Sequence, residues 1–116
     1  MRFRSKFERE VALDLKRSGV LFTYESLRLE YFKKHHYTPD FVLGNGVVIE
    51  AKGRFVGSDR MKHLLIKEQH PDIDIRFVFM RSNNTLSRRS KTTYADWCDK
   101  HGFLWADKVV PKAWTI

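Results

Sequence analysis

Tyr37-Thr38-Pro39-Asp40-Phe41-Val42-Leu43-Gly44-Asn45-Gly46-Val47-Val48-Ile49-Glu50-Ala51-Lys52 is the stretch on which the reading of this chain turns. Two apolar runs around Asn-Gly are a strong hairpin signal. Strand side chains alternate, so Glu50 and Lys52 share one face while Ile49 and Ala51 point to the other. If the hairpin closes through Gly44-Asn45-Gly46, with Gly46 in the left-handed position, Leu43 faces Val47 and Asp40 stands opposite Glu50. Directly opposed residues have Cβ atoms roughly 5 Å apart. A two-residue turn would instead shift the register by one and separate the two acids. Two carboxylates that close repel unless a cation lies between them or one takes a proton. Mg²⁺, bound by oxygen ligands with water completing its shell, answers that repulsion, and Ala51 can add only its backbone carbonyl. Lys52 follows on the same face, where it can contact a phosphate oxygen or orient an attacking water. Without the longer turn, the same residues are ordinary charges on an exposed hairpin.

Outward from the hairpin, the pattern predicts a mixed α/β domain with helices packed on a small sheet. Phe3, Phe7, Val11 and Leu15 recur at helical spacing, which predicts a first helix with one buried stripe, stopped at Gly19. Residues 20–24 and 27–32 read as strands, the second alternating Leu27, Leu29 and Tyr31 with Arg28, Glu30 and Phe32. Lys33-Lys34-His35-His36 is a basic connection. Ser58-Asp59 can open a second helix carrying Met61, Leu64 and Leu65, ending before Pro71. IDIRFVFM (73–80) is the clearest strand, and residues 81–93 form a flexible polar loop. A third helix is expected over 94–101, stopped by Gly102, with a last short strand at Phe103-Leu104-Trp105. There is no internal repeat or linker, so 1–116 reads as a single domain.

The chain has 116 residues, 22 Lys and Arg against 14 Asp and Glu, and a net charge of +8. A 42% hydrophobic share with 14% aromatics supports a packed core and excludes a disordered basic tail. A domain this small buries a limited fraction of its surface, so a dimer could hide the remainder. The single cysteine, Cys98, excludes an internal disulfide and reads as a small buried hydrophobe. No apolar signal core follows the basic N-terminus, and no run is long enough to span a bilayer, so a soluble intracellular protein is expected. An acidic cluster in a positive chain points to metal-dependent cleavage of a polyanion, nucleic acid above all.

The motifs carry a resemblance. Pro39-Asp40…Glu50-Ala51-Lys52 resembles the PD-(D/E)xK nuclease core. YTPDFVL (37–43) with VVIEAKG (47–53), KHLLIKEQHPDIDIRFVF (62–79) and KHGFLWADKVVPKAW (100–114) resemble the phage endonuclease I family of Holliday-junction resolvases, and Arg4-Ser5…Glu8 extends the match to the first helix. The resemblance covers nearly the whole chain. It implies a restriction-endonuclease-like core in an intertwined, domain-swapped homodimer that uses Mg²⁺, with Mn²⁺ able to substitute. The implied activity is nicking of four-way and other branched DNA to leave 5′-phosphates, in the cytoplasm of a phage-infected host. By matching positions, Asp40 and Glu50 are the implied metal ligands with the Ala51 carbonyl, and Lys52 is the catalytic lysine. Glu8 is implied to complete the site near a second metal, from the partner chain. Ala51 as the middle residue of the motif puts little in doubt, because only its backbone is needed. The chain ends at Ile116, without the basic C-terminal extension associated with the family, which is expected to weaken DNA affinity without touching chemistry.

Arg81, Arg88, Arg89 and Lys91 combine charge and reach and are the first candidates for DNA contacts, with Arg4 at the N-terminus. Lys62, His63 and Lys67 lie on the second helix, where DNA contact or a solvated face is expected. Thr38 shapes the turn before Pro39. His35 and His36 read as solvated or phosphate-contacting, and Trp97, Trp105 and Trp114 as core or dimer packing rather than stacking platforms. The rival readings are a nuclease of the same superfamily for mismatches or transposon ends, and a non-catalytic DNA-binding module. No RNA-binding motif is present.

Overall fold

In the computed structural model, which describes residues 2–116, the hairpin closes through its longer turn. Gly46 takes φ 90°, a backbone conformation that side chains disfavour. Its N–H donates to the Leu43 carbonyl at 2.9 Å, and the Leu43 N–H donates to the Val47 carbonyl at 2.8 Å. Asn45 fastens the turn to the C-terminus: its amide donates to the carbonyls of Trp114 at 2.8 Å and Ile116 at 3.2 Å, while its own oxygen accepts from the Val47 N–H. Strands β1 (Phe41–Val42) and β2 (Val48–Lys52) then pair antiparallel, Phe41 with Ile49 and Val42 with Val48.

Two compact units make up the chain, a first ending at Lys34 and a second spanning His35–Ile116. The second holds the sheet. Helix α2 (Gly57–Gln69) connects β2 to the parallel β3 (Ile75–Phe79), and α3 (Tyr94–His101) connects β3 to the parallel β4 (Trp105–Asp107), giving the order β1-β2-β3-β4. One core cluster gathers Val48, Phe55, Ile75, Phe77, Phe79, Tyr94, Trp97, Cys98 and Phe103. Val47, Ile49 and Val78 form another, against Leu43, Val110 and Trp114. These sets have opposite strand parity, so they lie on opposite faces of the sheet. Glu50, paired in register with Phe77, belongs to the aromatic face. Burial pushes the Cys98 thiol up to about 12, as suits an inert core residue.

Local chemistry accounts for the helix ends. Thr93 and Asp96 form a capping box at the start of α3, and Gly102 ends it at φ 76°. Lys67 donates to the carbonyls of His101 at 2.8 Å and Gly102 at 3.0 Å, so it tethers α2 to the end of α3. Helix α3 matches the expected bounds. Strand β3 is shorter than IDIRFVFM, and β4 begins two residues later than expected. A final 3₁₀ turn, Lys112–Thr115, had no advance signal.

The first unit departs most from expectation. Helix α1 (Lys6–Arg17) begins at Ser5, whose hydroxyl accepts the Glu8 N–H at 3.0 Å. Yet Phe7 is 71% exposed and Val11 is exposed too; the face that is covered carries Ala12. Residues 20–24 and 27–32 are not strands. Alternation alone does not make a strand: a ladder needs a neighbour, and this unit supplies none among the described residues. Leu27, Leu29, Tyr31 and Phe32 are left exposed.

Because the turn sets the register, Gly46→Ala should cost about 1–2 kcal/mol, the penalty of a side chain in the left-handed region. The loss would be read as a lower urea midpoint with an unchanged slope. Gly44→Ala, at a position without positive φ and with open space around it, should change the midpoint little.

Candidate active site

The register places Asp40 opposite Glu50, continuing the pairing of Phe41 with Ile49. Asp40 lies at the solvent edge, and its Oδ2 accepts the Ala51 N–H at 3.0 Å. Glu50 is only 2% exposed. Its Oε1 accepts a hydrogen bond from the Tyr37 hydroxyl, and His63 Nε2 lies 3.8 Å from the same oxygen. Lys52 Nζ, half-buried, lies 3.8 Å from Asp59 Oδ1 at the start of α2.

The two carboxylates are driven apart in acidity. Contact with Glu50 and the Ala51 N–H hold Asp40 below the usual carboxylate range. Burial, and then the neighbouring Asp40, push Glu50 up against the lowering effect of the Tyr37 hydroxyl. Burial beside a second carboxylate disfavours the ionised form of Glu50, a cost that a cation held between the two oxygens would relieve.

Among the described residues, no group of three or more His, Cys, Asp or Glu side chains stands together as a metal cluster. Two adjacent carboxylates and a backbone carbonyl are all oxygen donors, however. That set fits Mg²⁺, which is commonly held by one or two carboxylates with water and phosphate oxygens supplying the rest. It does not fit a closed zinc site, which would need four protein ligands, typically sulfur or nitrogen.

Glu8 belongs to the first unit. Its Oε2 accepts the Tyr24 hydroxyl at 3.0 Å, and its Oε1 is buried without a partner. Arg4 pairs with Glu25 at 2.9 Å. His63 corrects the expectation of a solvated or DNA-contacting side chain: it is 0% exposed, at right angles to the Tyr37 and Phe77 rings. Burial and then the charges of Lys62 and Lys52 lower its pKa to about 4, so it is neutral at pH 7 and its 3.8 Å approach to Glu50 is not an ion pair. Lys67 is exposed, but its ammonium is occupied at the end of α3, over the Phe103 ring. Lys62, Arg81, Arg88, Arg89 and Lys91 are exposed. The loop carrying the last four is less free than the sequence suggested. Its Leu86 N–H donates to Thr92 O at 2.9 Å, Thr85 bridges Thr93, and Ser82 is bound through N–H and hydroxyl to Asp107, each at 2.7 Å.

Tyr37 and Asp59 were not singled out from the sequence as site residues. Tyr37 precedes β1, where strand alternation gives no direction, and Asp59 carried only a helix-start signal. The sequence pattern could not show that either side chain turns toward β2.

Among the described residues no helix is long and apolar enough to cross a membrane. A family model described as phage endonuclease I matches residues 1–116. The chain is 50% identical over 114 residues to Endodeoxyribonuclease 1 of Enterobacteria phage T3, covering 96% of this chain and 75% of that protein. It is 46% identical over 115 residues to Endonuclease I of Escherichia phage T7, covering 97% of this chain and 77% of that protein.

The Glu50 shift has a direct consequence for stability. A carboxyl whose pKa is raised on folding favours the native state at low pH and opposes it once pH passes the raised value. Glu50→Gln should therefore melt higher than the unsubstituted chain at neutral pH in chelator. That gap should close as pH falls to where Glu50 is protonated. Melting followed by circular dichroism across pH tests this, and equal curves at neutral pH would remove the inferred strain.

Proposed function

The chain belongs to the phage endonuclease I family, and from that premise we propose that it is a Mg²⁺-dependent endodeoxyribonuclease that resolves four-way and other branched DNA. The observation that carries the reading is the opposition of Asp40 and Glu50 across the hairpin, with Lys52 on the same face of β2 as Glu50. The relatives' names, endodeoxyribonuclease and endonuclease, supply the reaction class. The arrangement supports a PD-(D/E)xK core.

Asp40, Glu50 and the Ala51 carbonyl would hold the cation. When bound, it would lower the pKa of water and offset negative charge on the scissile phosphate. Lys52 supplies a second positive charge. Its loose approach to Asp59, at 3.8 Å, leaves the ammonium free to turn toward a phosphate oxygen as charge develops there. Water oxygen bonds to phosphorus as the bond to the 3′-oxygen breaks. The leaving oxygen takes a proton, and the phosphate stays on the 5′ end.

A homodimer suits a four-way junction, whose two equivalent strands a two-fold axis can meet together. Support comes from the first unit, where Leu21 is 98% and Phe32 90% exposed in a single chain and the alternating run 27–32 lacks a strand neighbour. In the dimer reading, Glu8 acts at the partner's site. Branch selectivity would follow from the shape and charge of the bound DNA rather than from base contacts.

Labelled four-way junction compared with matched linear duplex, in Mg²⁺ and in Ca²⁺, tests the proposal. Cuts flanking the branch in Mg²⁺, with binding alone in Ca²⁺, are expected. Glu50→Gln, Asp40→Asn and Lys52→Ala should each slow cleavage by at least about 10²-fold while junction binding persists. Equal cutting of junction and duplex would leave a nuclease and sink the resolvase; binding without cuts in either metal would leave only a structural binder.

A further inference from the structure

We infer that Tyr37 is a positioning residue for Glu50, its hydroxyl fixing one carboxylate oxygen so that the other is presented, beside Asp40, to a divalent cation. The inference rests on the metal-site reading of the Asp40–Glu50 pair.

Glu50 sits on the aromatic face of the sheet, where an oxygen without a donor would carry the full cost of its lost hydration. Tyr37 is the side chain that donates to Oε1. His63, the other polar group facing that oxygen, does not: at 3.8 Å its Nε2 is beyond hydrogen-bond range, and neither ring nitrogen has a partner. The imidazole instead packs against Tyr37, ring centroids 5.3 Å apart at 84°, and is itself backed by Phe77 at 4.9 Å and 80°. Lys62 Nζ stands 5.8 Å from the centre of the Tyr37 ring. The phenol is thus held from two sides with its hydroxyl aimed at Oε1.

The chemistry of the donor matters as much as its position. A lysine or arginine here would neutralise Glu50 and compete with a cation for its charge. A phenol orients the carboxylate and leaves its charge available, which is how a hydrogen bond behind a metal ligand raises affinity. A phenol ordinarily titrates near pH ~10, so the group is a donor at working pH. His63, neutral and without a hydrogen bond to Glu50, is a packing wall.

Tyr37→Phe keeps the ring and its packing and removes only the donor. Mn²⁺ binding to the full chain without DNA, followed by electron paramagnetic resonance, should weaken about 10- to 100-fold. The melting temperature in chelator should fall by several degrees, from the Glu50 oxygen left without a donor, while unfolding stays a single cooperative transition. In cleavage assays the Mg²⁺ half-saturation should rise while junction Kd in Ca²⁺ stays constant, a split that loss of folding would not give. His63→Phe, which keeps the wall and deletes both ring nitrogens, should leave Mn²⁺ affinity unchanged; a loss like that of Tyr37→Phe would assign the positioning to the imidazole and overturn the inference. Equal Mn²⁺ affinity in Tyr37→Phe and the unsubstituted chain removes the role of Tyr37 and leaves the metal site standing. No Mn²⁺ binding by the unsubstituted chain removes the metal-site reading and the role of Tyr37 together.

Discussion

A carboxylate embedded among aromatic rings, next to a second carboxylate, is the constraint on which His35–Ile116 is organised. Glu50 pairs in register with Phe77, inside a cluster built from Phe55, Phe77, Phe79, Trp97 and Phe103. Burying a charge there is unfavourable unless it is compensated. The Tyr37 hydroxyl compensates one oxygen, while Asp40 makes the neighbourhood worse. A fold serving stability alone would put an apolar residue at position 50, as it does at positions 48, 75, 77 and 79. The unfavourable pair is retained on rigid elements: a strand flanked on both sides, entered through a turn whose glycine conformation admits one register. Stability given up at Glu50 is the physical sign of a site.

The hairpin was legible because each of its rules is local. Asn-Gly marks the turn, alternation assigns the faces, and the longer turn sets Asp40 against Glu50 by counting. Helices α2 and α3 were legible for the same reason, with a Gly102 stop and a proline beyond α2. His63 was not. Its neighbours Lys62 and Lys67 made the helix look solvated, and only the crossing of α2 over the aromatic face buries it. Tyr37 was hidden by the same limit, because it lies outside the strands and its partner stands thirteen residues away on β2. The mixed α/β class and the opposition of Asp40 and Glu50 could be read from the chain; the groups that hold the pair in place depended on tertiary packing.

Residues 20–32 failed as strands for a different reason. The alternation of 27–32 is sound, but a period of two is only an offer of pairing, and within the described first unit nothing accepts it. Leu27, Leu29, Tyr31 and Phe32 remain exposed, together with Phe7 on α1. A strand pattern with no strand neighbour among the described residues is what an exchanged segment would leave behind, in keeping with the proposed dimer.

Charge completes the reasoning, because fold and carboxylate pair alone do not select a substrate. Against 22 Lys and Arg the chain sets 14 acids, and several of these are committed. Asp74 holds Arg76, Glu25 holds Arg4, Asp96 caps α3, and Asp107 binds Ser82. Asp40 and Glu50 occupy the hairpin. Cations at Arg81, Arg88, Arg89 and Lys91 are left exposed on a loop that Ser82 and the Thr85–Thr93 bridge hold in place. That loop leaves the end of β3 where the Met80 N–H donates to the Lys52 carbonyl at 3.1 Å, so it starts directly beside the proposed catalytic lysine. Unpaired cations repel one another, and a phosphate backbone relieves that repulsion while releasing its own counterions. In the proposed reading, a polyanion drawn to these cations would meet a loop whose start adjoins Lys52 in the sheet.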